Sequence, residues 1–312
     1  MTTLFSNPDL RLVIVGGKGG VGKTTFSSAL GISLAETFKT LVVSTDPAHS
    51  LSDSFEQPIG DRIAPIDGVK NLFAFELNAE RAFREFMNTH DADLRRILDS
   101  STYLDQSDVD MFMQLAMPGM DEVMGLKTVA DLVEQNHYDK YIIDTAPTGH
   151  ALRLLSMPDL LDAWVKVLAQ LRWKYRKVVE TFSGSYSPDS GDDLLLSLKK
   201  TVKRIEALLK DATRCEFLPI MIPTQMALAE TERLVNSLWK YGVSVKRLAV
   251  NNVLTASGAD AVFIEKRREQ QTYLKQISAA FPTLEKLQIP MQASEVKGVQ
   301  KLRAFMATVE PI

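Results

Sequence analysis

An apolar run, RLVIV (Arg11–Val15), leads without a break into GGKGGVGKTT (Gly16–Thr25), and a helical pattern follows. This feature constrains the fold more than any other in the chain. Glycines let a backbone turn tightly enough for successive N–H groups to converge on phosphate oxygens. The helix that starts there adds the positive end of its dipole. The spacing Gly17-x4-Gly22-Lys23-Thr24 is present in full. In such a loop Lys23 would neutralise the β- and γ-phosphates, and the Thr24 hydroxyl would hold Mg²⁺. Gly17, Gly19, Gly20, Val21, Gly22, Lys23, Thr24 and Thr25 are therefore the expected nucleotide contacts. ATP and Mg²⁺ are the expected ligands, and ATP hydrolysis the expected reaction. A glycine-rich turn that matches by chance is the competing reading, and the strand before and helix after weigh against it.

Lys18 is a second lysine inside the loop. It marks the variant of the motif in which two subunits pack with nucleotide between them. There the lysine reaches the partner's phosphates, as an arginine finger does elsewhere. That implies a homodimer with Lys18, Lys23 and a carboxylate as catalytic groups. A solvated surface lysine is the plainer alternative.

Further along, short apolar runs alternate with longer amphipathic ones. Arg11–Val15, Thr40–Thr45, Leu72–Leu77, Lys140–Ile143, Glu216–Ile222 and Arg247–Asn252 are predicted strands. Thr24–Phe38, Asp121–Gln135, Ala227–Tyr241 and Ala261–Ala280 are predicted helices. The alternation predicts an α/β fold with a doubly wound, mostly parallel sheet, in which ligands sit beyond the carboxyl ends of the strands. Residues 1–312 are expected to form one ATPase domain carrying an inserted helical subdomain from about 80–135 and 154–212. Ser183–Asp193, rich in Gly, Ser, Pro and Asp, reads as a flexible loop between helices.

Composition matters here for what it excludes. A net charge of -3 argues against a nucleic-acid partner. No stretch approaches the roughly 20 apolar residues of a membrane span, and the first residues lack a secretory pattern. The single cysteine, Cys215, cannot form an internal disulfide or a multi-thiolate metal site within one chain. A cytoplasmic location is the expectation.

Two further segments follow apolar runs: DPAHSLSDSF (Asp46–Phe55) and DTAPTGHALRLL (Asp144–Leu155). PGMDEV (Pro118–Val123), ETERL (Glu230–Leu234), VNN (Val250–Asn252) and EVKG (Glu295–Gly298) come in the same order and at suitable spacing. With the phosphate loop, these resemble the family of arsenite-pump ATPases and ATPases that target tail-anchored membrane proteins. The resemblance covers nearly the whole chain. It implies that Asp46 orients or deprotonates the attacking water, that Asp144 supports Mg²⁺ through water, and that Thr145–Gly149 form a nucleotide-sensing switch. It also implies that Asn251 hydrogen-bonds adenine, with Pro290 and Met291 in the loop covering the base. Taken alone, Asp46 also reads as a turn residue before Pro47. His49 and His150 read first as structural histidines.

Within that family the pump ATPases bind arsenite through several cysteines and are tandem duplications, and this chain has half that length and one thiol. Arsenite activation is not expected. The eukaryotic targeting ATPases clamp their dimer with zinc held by a CxxC pair, whose position here reads Ala261-Val262-Phe263-Ile264. No zinc is expected. Met113, Met117, Met120 and Met124, with Leu160, Leu161, Trp164 and Leu168, are candidates for a groove that shields a client's hydrophobic helix. Methionine adapts to varied apolar partners, but it also fills irregular cores. The expected function is thus an ATP-driven homodimeric targeting factor for hydrophobic helices. A metalloid-efflux ATPase subunit and a membrane- or DNA-associated positional ATPase stand as alternatives.

Overall fold

The computed structural model describes residues 5–46, 50–99, 120–146, 148–183, 185, 187–255 and 261–311. Packing divides the chain into two compact units. One comprises Met1–Leu77, Leu132–Leu152 and Leu208–Ile312, the other Asn78–Asp131 and Arg153–Ala207.

The first unit is built on a sheet. Among the described residues its strands are β1 (Leu12–Gly16), β2 (Thr40–Ser44), β3 (Ala64–Pro65), β4 (Leu72–Glu76), β5 (Lys140–Asp144), β6 (Cys215–Met221), β7 (Arg247–Val253), β8 (Glu285–Pro290) and β9 (Glu310–Pro311). Their order is β3-β4-β2-β5-β1-β6-β7-β8-β9, parallel except for the two short edge strands β3 and β9. All five residues of β1, β2 and β5 are buried, and so are all seven of β6. Strands buried on both faces read as continuous apolar runs, which is why these were legible in the sequence. The chain's progress across the sheet reverses about β1, so the crevice beyond its carboxyl end is the place where such sheets bind ligands.

Helix α1 (Lys23–Leu34) leaves that point and packs on β2 and β5. Gly31 makes the fit possible. A Cβ there would lie 2.5 Å from Val42 Cγ2. Helix α2 (Ser50–Phe55) packs against α1.

The second unit is helical among its described residues. It contains α3 (Ala79–Thr89), α4 (Asp91–Asp99), most of α5 (Met120–Gln135) and of α6 (Thr148–Ser183), and nearly all of α7 (Ser190–Lys210). Asn78 caps α3 by accepting a hydrogen bond from the Arg81 amide at 2.8 Å. The interior gathers Leu94, Ile97, Leu98, Val123, Leu198 and Val202. Here the structure corrects one expectation. The loop predicted across Ser183–Asp193 is shorter, because α7 already starts at Ser190. Asp189 Oδ1 accepts from the Gly191 amide at 2.9 Å, and Asp192 and Asp193 favour the positive end of the helix. Buried Arg172 of α6 holds both Asp189 and Asp192.

The other helices belong to the first unit: α8 (Gln225–Lys240), α9 (Ala261–Ala280) and α10 (Gly298–Ala307). Thr224 caps α8 by accepting from the Ala227 amide. Among the described residues no helix is long and apolar enough to cross a membrane.

The close approach at Gly31 generates a prediction. Gly31→Val should drive methyl groups into Val42 and Leu72, costing about 1–3 kcal/mol. Urea unfolding should show a lowered midpoint with an unchanged slope.

Candidate functional site

The site is assembled by hydrogen bonds that lace three neighbouring strand ends together. Thr145, just past β5, donates both its amide (3.1 Å) and its hydroxyl (2.9 Å) to the Val15 carbonyl of β1. Thr45, just past β2, donates its amide to the Asp144 carbonyl at 2.9 Å. Residues some 100 positions apart thereby emerge side by side at the carboxyl edge of the sheet.

The phosphate loop fills the space beyond β1. At Gly17 any side chain is excluded, since a Cβ would lie 2.1 Å from the Ile220 carbonyl oxygen. Gly22 sits at a φ of 93°, and a Cβ there would lie 2.5 Å from the Asn251 amide nitrogen. Gly19 and Gly20 are exposed and Val21 is buried, so the loop rests on the core and opens outward. Lys23 is buried, with Nζ donating to the Lys18 carbonyl at 3.2 Å. Burial lowers its pKa, while the charges of Asp144 and Asp46 oppose that shift.

At the centre, the Thr24 hydroxyl donates to Asp144 Oδ2 at 2.7 Å. Asp144 is fully buried, and its Oδ1 has no hydrogen-bond partner. Burial raises the carboxyl to about 6, against the lowering effects of the Thr24 hydrogen bond and the Lys23 charge. A buried, unsatisfied carboxylate oxygen beside a hydroxyl is a donor set of hard oxygens, which suits Mg²⁺ held directly or through water. Asp46 is half-buried, and its amide donates to Ser44 Oγ at 3.1 Å. Its charge acts on both Lys23 and Asp144, so it belongs to the same cluster. Pro47, Ala48 and His49 lie outside the described residues, as does Pro147, and the His150 side chain is likewise not described.

Two placements were not legible in the sequence. Ser50, the first residue of α2, has its hydroxyl 3.3 Å from Ser44 Oγ and 3.5 Å from Asp144 Oδ2. Its partner lies 94 positions away, so no local spacing could have singled it out. Asn251 donates from its side-chain amide to the Val21 carbonyl at 2.8 Å and accepts from the Asn252 amide at 2.8 Å. It clasps the phosphate loop from the β7 side. The adenine contact expected of it would use its remaining N–H or the second lone pair of Oδ1. Pro290 is the last residue of β8 rather than part of a loop, at a position where the sheet asks for no amide donor. Met291 follows it, 59% exposed, with its amide donating to the Val253 carbonyl.

Lys18 is half-buried, and its Nζ pairs with Glu230 Oε1 of α8 at 3.4 Å. The remaining expected residues lie in the helical unit. Met124, Leu161, Trp164 and Leu168 are buried there, with the Trp164 ring 6.1 Å from that of Phe86. In this structure these four side chains are buried. Met113 and Met117, and the side chains of Met120 and Leu160, lie outside what is described. Cys215 is fully buried on β6, and desolvation pushes its thiol up to about 12.

A parallel sheet with a phosphate loop at its switch point, and a Thr–Asp pair beneath that loop, defines a P-loop nucleotide hydrolase. More narrowly, the model of the anion-transporting ATPase family matches residues 10–310, and the chain belongs to that family. It is an ATPase. It is 33% identical to "ATPase ASNA1 homolog 2" of Paramecium tetraurelia, over 98% of this chain and 95% of that protein. It is 35% identical to "ATPase GET3B" of Arabidopsis thaliana, over 96% of this chain and 79% of that one. With "ATPase get3" of Neurospora crassa the identity is 34%, over 98% and 92%.

Three outcomes are expected. The Asp144 carboxyl has a folded-state pKa above its unfolded value of 3.8, so its ionised form costs stability, and the fold regains that stability as pH falls from about 6 towards 3.8. Without nucleotide or metal, Asp144→Asn should therefore melt higher than wild type at neutral pH and lose that advantage through this window. Its ATP hydrolysis should fall on the order of 100-fold. Cys215 should not react with a thiol reagent in the native protein, and should react fully in guanidinium.

Proposed function

We propose that this ATPase works as a cytoplasmic homodimer that closes over ATP and shields hydrophobic helices of tail-anchored membrane proteins until hydrolysis releases them. The observation that carries this reading is the likeness, along 96–98% of the chain, to ATPases named GET3 and ASNA1 homologs.

The site residues supply the parts that phosphoryl transfer requires, which are chiefly positioning and charge stabilisation. Backbone amides from Gly17 to Thr25 would cradle the phosphates. Thr24 and Asp144 would hold Mg²⁺, which when bound neutralises phosphate charge. Lys23 would face the β- and γ-phosphates from its own subunit, and Lys18 those of the partner subunit's nucleotide. Asp46, with its charge felt at both Lys23 and Asp144, would orient the attacking water. Asn251 would hold the base side of the pocket while steadying the loop at Val21.

The helical unit supplies the client side of the reading. Met124, Leu161, Trp164 and Leu168 are large, apolar and interior. If the helices of that unit separate in the ATP-bound dimer, these side chains become the lining of an apolar groove; when the unit packs again, the groove closes and the client leaves. Helix α6 begins four residues after Asp144, so the covalent chain itself links the two functions.

The test is co-purification with a tail-anchored client helix, comparing wild type and Asp46→Asn, each with ATP or ADP. Asp46→Asn should retain the client with ATP and lose it with ADP. Its hydrolysis should fall by roughly 100-fold or more, with ATP binding kept. Capture that ignores the nucleotide would remove the coupling, and capture in no state would remove the targeting role while leaving the ATPase intact.

A further inference from the structure

The Lys18 ammonium faces its own chain. Its backbone carbonyl receives the Lys23 ammonium at 3.2 Å, and its Nζ lies 3.4 Å from Glu230 Oε1 on α8. Glu230 has a second notable property: its other carboxylate oxygen, Oε2, is buried and has no hydrogen-bond partner. Lys18 is thus the cation paired with a carboxylate that is only partly satisfied. The pair is partly exposed, with 37% of the lysine and 28% of the glutamate side chain accessible. Ion pairs of this kind are weak and break easily. What such a pair fixes is direction, because it decides where a long flexible ammonium spends its time.

We infer that Glu230 is a positioning residue for the ATPase reaction: it holds Lys18 in cis in the single chain and must give it up when the lysine turns to the phosphates of a second copy's nucleotide. The inference rests on the proposed dimeric reading. Its physical content is an exchange. Leaving Glu230 strips a half-buried carboxylate of the cation at Oε1, and Oε2 already has no partner, so release is opposed. Arrival at a triphosphate provides the stronger anion. Only ATP presented by a second copy supplies that anion at the right place, so the pair keeps the lysine withdrawn in the isolated subunit and raises the ATP concentration needed for assembly. Glu230 touches no reacting atom in this scheme and acts entirely through Lys18.

The full-length chain with ATP and Mg²⁺ serves for the test. Sedimentation velocity reports assembly as a function of ATP concentration, and thermal melting reports whether each variant is folded. Glu230→Gln, an isosteric change that removes the charge, should lower the half-maximal ATP concentration for assembly by about three- to five-fold, the factor a pair of this exposure supports. Glu230→Asp keeps the charge and should stay closer to wild type. In a Lys18→Met background, Glu230→Gln should produce no further change. An equal shift in both backgrounds would mean that Glu230 acts on packing alone and would overturn the inference, as would no shift in either. If wild type stays monomeric with ATP and Lys18→Met hydrolyses ATP as fast as wild type, the dimeric reading fails and takes this inference with it. That outcome is read without any Glu230 variant, so the two failures are separable.

Discussion

The hydrogen bond from the Thr24 hydroxyl to buried Asp144 is the contact on which the rest of the site depends. It joins the first residues of α1 to the last residue of β5, across 120 positions of sequence. Around it, the Thr145 and Thr45 bonds bring three parallel strands to one level, so that the phosphate loop, Asp46 and Asp144 share one small volume. A buried carboxyl is expensive, and burial raises its pKa. The fold tolerates it because Thr24 and the Lys23 charge recover part of the cost, and because the remaining oxygen, Oδ1, is what a hard cation would satisfy.

The loop is gripped from both sides. Thr24 ties it toward β5, and Asn251 ties the Val21 carbonyl toward β7. Gly17 and Gly22 stand where a side chain would press against the Ile220 carbonyl and against Asn251 itself. A residue read only as a base contact thus also serves the geometry of the phosphate site.

The long strands were legible because burial on both faces forces an unbroken apolar run, as in LVIVG or KYIID. The edges were not. β8 presents only Leu287 and Ile289 to the interior among polar neighbours, and β3 and β9 have two residues each. Such segments become strands because a neighbour offers them a hydrogen-bonding edge, and nothing local announces it. The opposite failure occurred at Ser190–Asp193. Its composition says loop, but a cap from Asp189 and the buried Arg172 make it the first turn of a helix.

By itself the sequence determined the phosphate loop, its lysines, the aspartates that end the apolar runs, and the order of the long buried strands. Spacing along a chain dictates those features, because a loop of this glycine pattern between strand and helix has one geometry available to it. Tertiary structure alone decided that Asn251 clasps Val21, that Ser50 approaches Asp144, that Lys18 pairs with Glu230, and that Met124, Leu161, Trp164 and Leu168 are interior. Those are contacts between segments distant in sequence. An amphipathic pattern shows that a side chain must leave water, but only the packed chain determines what it meets there.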